Sequence, residues 1–335
     1  MAKHWTAEQV LDLARTFQGA CVVTAAAELD VFSVLRHRMR AVGSVASKLR
    51  ANPHATAVLL DALVALGLLT KKGCRYGLAP GVEETLTEAS PRNVLPMVRH
   101  SGTCLRKWAQ LAEAVKTGRS ARTIPSVRGE GADHAAFIGA MHVINLEAAP
   151  ELVARLGPPR FTHLLDVGGA SGTWTIAFLR AAPTATATLF DLPEVVPLAR
   201  QRLAAEGLAD RVTLVAGDYT RDKLPAGADL AWVSAIVHQE SLKGVAALFR
   251  KVFAALEPGG QILIRDLVMH PSRTGPAMGA LFAVNMLVAT EAGGTYTFAE
   301  LSHTLHAAGF VHPTLLRKAD DMSAVVAAVK PAAKE

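Results

Sequence analysis

Four short runs in the second half of the chain carry residues able to grip a nucleoside-like ligand and to move a proton. The first is Asp166-Val167-Gly168-Gly169-Ala170-Ser171-Gly172. Glycines there permit a tight turn and close backbone approach to a ligand. A helix that follows such a turn points its free N–H groups at negative charge. The second run is Phe190-Asp191-Leu192, where a strand-end carboxylate can accept hydrogen bonds from both hydroxyls of a ribose. The third, Gly217-Asp218-Tyr219, offers an acid for a purine amino group and an aromatic ring to stack on the base. The fourth is Val237-His238-Gln239-Glu240. Histidine is the side chain best suited to take a proton near neutral pH. One strand-end Asp is as readily a helix cap. Three acids at the ends of three successive strands, the first beside a glycine turn, form a ligand-binding pattern.

The elements that must position these residues begin after Gly157-Pro158-Pro159, where the pattern changes to alternating strand and helix. THLLDVGG, TATLFDL, RVTLVAGD, ADLAWVSAIV and GQILIRDLVM read as strands. TWTIAFLRAA, EVVPLARQRLAAEGL, LKGVAALFRKVFAAL and FAELSHTLHAAG read as helices between and after them, and HPTLLR and MSAVVAAVK as two last strands. The succession requires an α/β fold with a mostly parallel sheet and helices on both faces. Ligands in such sheets bind at the carboxyl ends of the strands. The dinucleotide spacing GxGxxG fits poorly, because its second and third glycines would be Ala170 and Thr173. The spacing GxGxG, typical of methyltransferases, fits as Gly168, Ala170 and Gly172 with one conservative change.

The first half reads as helical. Thr6 and Gln9 form a capping-box pattern, with Val10, Leu13, Ala14 and Phe17 at helical spacing behind it. Two helices are expected between residues 43 and 69, broken at Asn52-Pro53, then a hairpin over TKKGCRYGL. Helices followed by a hairpin are the order of a winged helix, which raises DNA binding as a rival function. The segment from His54 to Leu69 argues against it. It has no Lys or Arg to meet phosphates or guanine edges. A helix so apolar is expected to pack in its own domain or against a second subunit. The net charge of +6 over 335 residues is a mild excess with scattered basic residues, so no specific nucleic acid is expected. FIGAMHVINLEAAPELVARLG reads as one linking helix. These boundaries divide the chain into a dimerising region at 1–95, a connecting segment at 96–159 and a ligand-binding domain at 160–335. Three cysteines, none at CxxC spacing, offer neither a disulfide framework nor a zinc site. The start of the chain has no signal-peptide pattern and no apolar run reaches membrane length. The expectation is a cytoplasmic protein with no membrane partner.

The motifs LLDVGGASG, FDLPEV, GDY, AIVH and EPGGQILIRD are similar to those of the plant-type O-methyltransferase family, which includes caffeate, flavonoid and acetylserotonin O-methyltransferases and bacterial relatives. The N-terminal half resembles, more loosely, the winged-helix dimerisation domain of that family. The resemblance implies a seven-stranded Rossmann-like methyltransferase sheet, a homodimer, and S-adenosylmethionine as cofactor. It implies that Asp166, Gly168, Gly169, Gly172, Asp191, Leu192, Asp218 and Tyr219 hold that cofactor. Ser234 stands where the family usually has a lysine. His238 falls at the position of the general base, Asp266 at that of its first acidic partner, one carbon shorter than the usual Glu, and Tyr296 at that of the second. Glu291 lies near enough in sequence to replace the lost acid. Met141, His142 and Asn145 from the linking helix, with Asn285 and Met286, are candidates for the acceptor pocket, although methionine also fills ordinary core gaps. No acid–acid–Asn set of the kind that binds a divalent metal is apparent. Transfer to a small-molecule hydroxyl follows. The departures at Ser234, Gln239 and Tyr296 keep S-, N- and C-methylation open, together with a non-catalytic regulator that senses the cofactor.

Overall fold

In the computed structural model, residues 4–157 and 160–333 are described. Pro158 and Pro159, where the sequence places the domain boundary, lie outside them. The described chain falls into two compact units. The first comprises residues up to Ala109 together with Arg122–Val143, and the second Gln110–Ala121 together with the chain from Ile144 onward. The segment drawn as a connection at 96–159 is thus shared between both units.

The first unit starts with α1 (Ala7–Arg15), whose capping box between Thr6 and Gln9 forms as expected. It continues with α2 (Phe17–Glu28), α3 (Val31–Leu35), β1 (Arg40–Ala41), α4 (Val42–Leu49) and α5 (Pro53–Ala65). Asn52 caps α5 by accepting from the Ala55 N–H, and Pro53 occupies the first turn, where its missing N–H costs nothing. The hairpin β2 (Leu69–Lys72) and β3 (Arg75–Leu78) turns at Gly73, which has φ +57°, and β3 also pairs with β1. Then come α6 (Val82–Leu86) and α7 (Leu95–Trp108). A core of its own, around Phe32, Leu35, Leu60 and Leu63, holds these elements together. The α1 residues Val10, Leu11 and Leu13 stay at least half exposed, as does Phe17 just beyond them. α5 is likewise buried only on the side of Leu60 and Leu63, with Val58 exposed.

α8 (Leu111–Thr117) belongs to the second unit, and α9 (Glu130–Asn145) crosses from one unit to the other. The linking helix expected over 137–157 is in fact two helices, α9 and α10 (Ala148–Arg155). Pro150 explains the break. It has no N–H to donate to the carbonyl of residue 146 and is tolerated only in a first turn, so a new helix must start just before it.

The sheet strands are β4 (His163–Val167), β5 (Thr186–Asp191), β6 (Val212–Ala216), β7 (Ala228–Ser234), β8 (Leu256–Arg265), β11 (Val311–Arg317) and β12 (Val325–Val329). A short parallel pair is made by β9 (Val268–Met269) and β10 (Tyr296–Thr297). The helices of this half are α11 (Thr173–Ala181), α12 (Val196–Ala205), α13 (Leu242–Ala255), α14 (Ala277–Ala289) and α15 (Phe298–Ala307). Among the described residues the strands form one seven-stranded sheet in the order β11-β12-β8-β7-β4-β5-β6. β12 runs opposite to the other six strands of this sheet. Central strands such as β4 and β7 are buried on both faces, which is why they read as nearly continuous apolar runs. One core lies between the sheet and residues of α13 and α15, the other between the sheet and residues of α10, α11 and α12. The chain steps outward from β4 to β5 and β6, then returns to the other side of β4 as β7. That reversal leaves the ligand crevice at the carboxyl ends of β4 and β7. No helix among the described residues is long and apolar enough to cross a membrane.

Candidate active site

The turn after β4 requires its glycines. Gly168 has φ +66° and Gly172, at the start of α11, has φ +81°. A Cβ on Gly168 would run into the end of Ile236, and one on Gly169 would press on Leu189 and the Asp166 carboxyl group. Ala170, the residue that replaces the middle glycine of the GxGxG spacing, carries the positive φ of 48° despite its methyl group. The Asp191 carboxylate ties this turn to β5: Ala170 N–H donates to Oδ2 at 2.7 Å and Leu192 N–H to Oδ1 at 2.7 Å. Leu192 itself is exposed.

Asp166 is fully buried at the base of the turn, and Thr175 Oγ1 donates to it at 2.6 Å. Burial pushes its pKa up to about 7. Asp191 is raised in the same direction, again by burial. Asp218 behaves differently. Its Oδ1 accepts from both the N–H and the hydroxyl of Thr220, which lowers its pKa and makes it the cap of its own turn. Tyr219 donates its hydroxyl to Glu240 Oε1 at 3.1 Å. Burial raises the phenol, and the Glu240 charge adds to the effect. The carboxyl ends of β4, β5 and β6 and the turns that follow them thus place a glycine cradle and three carboxylates at one end of the sheet.

β7 ends at Ser234, earlier than its apolar run suggested, because Ala235 adopts φ +57° and turns the chain into a short 3-10 helix at Val237–Gln239. This turn delivers His238, 6% exposed, to the same edge. The imidazole Nδ1 lies 2.9 and 3.0 Å from the two oxygens of Asp266, and the His238 backbone N–H donates to Oδ2 at 3.2 Å. A third N–H, that of Leu267, donates to Oδ1 at 2.8 Å. A carboxylate so placed fixes Nδ1 as the protonated nitrogen and leaves the Nε2 lone pair available. Among the described residues Nε2 makes no hydrogen bond. The ring of Phe282, on α14, meets the imidazole edge to face at 4.8 Å. Sequence reasoning passed over Phe282, although it sits one helical turn before Asn285 and Met286 and shares their helix.

Tyr296 is close by but bonds elsewhere. Its hydroxyl donates to the backbone carbonyl of Glu240, not to the imidazole. Together with the Gly294 N–H, which donates to the His238 carbonyl at 2.9 Å, it pins the backbone on either side of Gln239. Glu291, the candidate replacement acid, is exposed and makes no hydrogen bond among the described residues. Ser234 accepts from Arg265 Nη1 at 3.1 Å. Asn285 and the buried Met286 sit on α14 in the second unit. Of the α9 residues, the partly buried Met141 and His142 belong to the first unit and the buried Asn145 to the second.

A glycine turn, strand-end carboxylates and a carboxylate-bound histidine thus lie at the carboxyl ends of the strands of one seven-stranded sheet. Comparison with known proteins shows the class to which such a chain belongs. Residues 108–311 match the family described as O-methyltransferase domain, and residues 11–86 its O-methyltransferase dimerisation domain. The chain is 33% identical to the tetracenomycin polyketide synthesis 8-O-methyl transferase TcmO of Streptomyces glaucescens, over 90% of each chain. It is 30% identical to the 3-hydroxy-5-methyl-1-naphthoate 3-O-methyltransferase of Streptomyces sahachiroi, over 95% of this chain and 94% of the relative. Human N-acetylserotonin methyltransferase, solved in complex with SAM, superposes with a TM-score of 0.80 at 28% identity, covering 99% of this chain and all of the other. The chain belongs to this O-methyltransferase family and is an S-adenosylmethionine-dependent enzyme acting on small molecules.

Proposed function

We propose that the enzyme methylates a hydroxyl on a planar aromatic acceptor and that His238 is the general base. The observation that carries this is the pairing of His238 Nδ1 with both oxygens of buried Asp266, which leaves Nε2 free to accept a proton. The bound cofactor supplies an electrophilic methyl on a sulfonium. A phenol has a pKa near ~10, so it is a poor nucleophile at neutral pH unless its proton is removed as the new bond forms. The proton passes from the acceptor hydroxyl to His238 Nε2, and the Asp266 carboxylate stabilises the imidazolium that results. Asp166, Gly168, Gly169, Gly172, Asp191 and Leu192 are the residues we assign to the cofactor, with Asp218, Tyr219 and Ser234 at its margins. Phe282, Asn285 and Met286 are assigned to the acceptor, with Asn145, all of the second unit. Tyr296 positions the turn that carries His238 rather than contacting the reacting atoms.

Two further features belong to the same proposal. The exposed apolar residues of α1 and Val58 of α5 form the homodimer contact of the dimerisation domain. All three cysteines are free thiols, which suits a reducing cytoplasm. The acceptor class follows from the aromatic wall at Phe282 and from the relatives, one named for a polyketide and one for a hydroxynaphthoate. The test is a panel of naphthols, arylthiols and arylamines offered with S-adenosylmethionine. S-adenosylhomocysteine should form with the naphthols. Formation with thiols or amines alone would refute the hydroxyl assignment.

A further inference from the structure

Arg265 is the last residue of β8 and faces Ser234 across the sheet. Its side chain is a buried cation that the methyl-transfer reading leaves without a task. The residue is 6% exposed. Nη1 donates to Ser234 Oγ at 3.1 Å, and the guanidinium lies 4.7 Å from the centre of the Trp174 ring. Nε is buried with no acceptor, and Nη2 donates to none among the described residues. The fully buried Trp232, whose ring packs 4.9 Å from Trp174, also has an indole N–H without an acceptor. The nearest acids are engaged elsewhere. Asp266 holds His238 and the Leu267 N–H, and Asp321 holds the N–H and hydroxyl of Ser323. Burial lowers the guanidinium pKa to about 10, so it stays charged at neutral pH.

A buried cation with spare donors is costly until an anion completes it. The place is right for a ligand to supply that anion. Arg265 stands at the carboxyl ends of β7 and β8, one residue before Asp266, where ligands enter sheets of this kind. Trp174 lies in the first turn of α11, where the dipole of the helix also favours negative charge. We propose that Arg265, backed by Trp174 and Ser234, is a carboxylate-binding corner of the methyl-transfer site. The planar fork of a guanidinium matches the two oxygens of a carboxylate, and the ring behind it holds the plane in place. Two molecules could bring that group: the amino-acid tail of the cofactor, or an aromatic acceptor with a ring carboxylate. The inference rests on the methyl-transfer reading of this site.

Calorimetry on Arg265→Met and Arg265→Lys distinguishes the sources. One arm compares S-adenosylhomocysteine with its decarboxylated analogue. The other compares 3-hydroxy-2-naphthoate with 2-naphthol at saturating S-adenosylhomocysteine. In one of these arms the wild-type protein should prefer the carboxylate at least tenfold. The preference should vanish in Arg265→Met and survive in part in Arg265→Lys, and the arm that responds identifies the source. Ligand-free Arg265→Met should melt no lower than wild type, because a buried charge lacking its partner has been removed. A merely structural arginine would give the opposite pair of results, a lower melting point with the preference intact. No preference in either arm, or one that persists in Arg265→Met, overturns the proposal. If wild type binds no S-adenosylhomocysteine at all, it is the methyl-transfer reading that fails, and this inference goes with it.

Discussion

Asp266→Asn isolates the contribution of the carboxylate to the histidine. In the wild-type structure the two carboxylate oxygens take three N–H groups: His238 Nδ1, the His238 backbone and the Leu267 backbone. An amide has one acceptor oxygen and one NH2 group. If its oxygen serves Nδ1, the NH2 is forced against the backbone donors; if its oxygen serves the backbone, the imidazole loses its acceptor. Either way the imidazolium formed during proton transfer has no neighbouring negative charge. A hydrogen bond to a charged group contributes about 1.5–3 kcal/mol. At about 1.4 kcal/mol per decade, kcat should fall roughly 10- to 150-fold. The hydrogen bonds of Asp266 go to His238 and Leu267 and not to the glycine turn, so the Kd for S-adenosylhomocysteine should stay within about twofold, since that ligand makes no demand on the base. The assay is transfer of a radiolabelled methyl group to a naphthol, with calorimetry for the cofactor product. A folded Asp266→Asn enzyme with wild-type kcat would refute the reasoning.

Other expectations follow from the same geometry. Asp191→Ala removes the carboxylate proposed to accept from the ribose and unties Ala170 and Leu192, so S-adenosylmethionine should bind at least tenfold more weakly by calorimetry; unchanged affinity in a folded variant would remove Asp191 from the cofactor site. Tyr296→Phe should cost about 0.5–1.5 kcal/mol of stability in denaturant melts, through the lost bond to the Glu240 carbonyl, and change kcat only a few-fold; a loss as large as that of Asp266→Asn would mean that Tyr296 acts on the histidine directly. Asp166 titrates at about 7 in the folded protein against 3.8 ordinarily. Between those values the folded state retains a proton that the unfolded chain has released, so this group's effect on stability worsens as pH rises to about 7 and levels off above. The ligand-free Asp166→Asn variant should lose that part of the slope in thermal melts from pH 4.5 to 8, and a slope equal to wild type would show that Asp166 is not the proton holder.

The sequence exposed those parts of the site that depend on local spacing. Gly168 to Gly172 can be read because a turn from strand to helix needs positive φ where β4 ends. Asp191 and Asp218 can be read because each closes an apolar run. The pairing of His238 with Asp266 is different: it depends on the register of β7 beside β8, which no local pattern encodes, and it was available only through resemblance to a family. Tyr296 shows the cost of carrying a role across by position alone, because the hydroxyl that replaces the acid finds the nearer Glu240 carbonyl. The burial of Arg265 was hidden for the same reason as the pairing, since it depends on the register of β8 beside β7 and on packing against the Trp174 ring. In the N-terminal unit the apolar spacing of α1 is plain in the sequence, but Val10, Leu11 and Leu13 stay exposed in the structure. The single helix expected over 137–157 failed at Pro150, a breaker whose weight was overlooked amid a strongly apolar run.

The central claim is that His238 Nε2 takes the proton of an acceptor hydroxyl, and the pH–rate profile of a His238→Gln enzyme tests it most directly. Glutamine keeps a polar group at the site but cannot accept the proton. With a naphthol acceptor and saturating cofactor, turnover at neutral pH should fall by about 10²–10⁴. The residual rate should climb with pH toward the acceptor's own pKa near ~10, as the phenol begins to ionise unaided, while S-adenosylhomocysteine affinity stays unchanged. Wild-type turnover from His238→Gln at neutral pH would contradict the account.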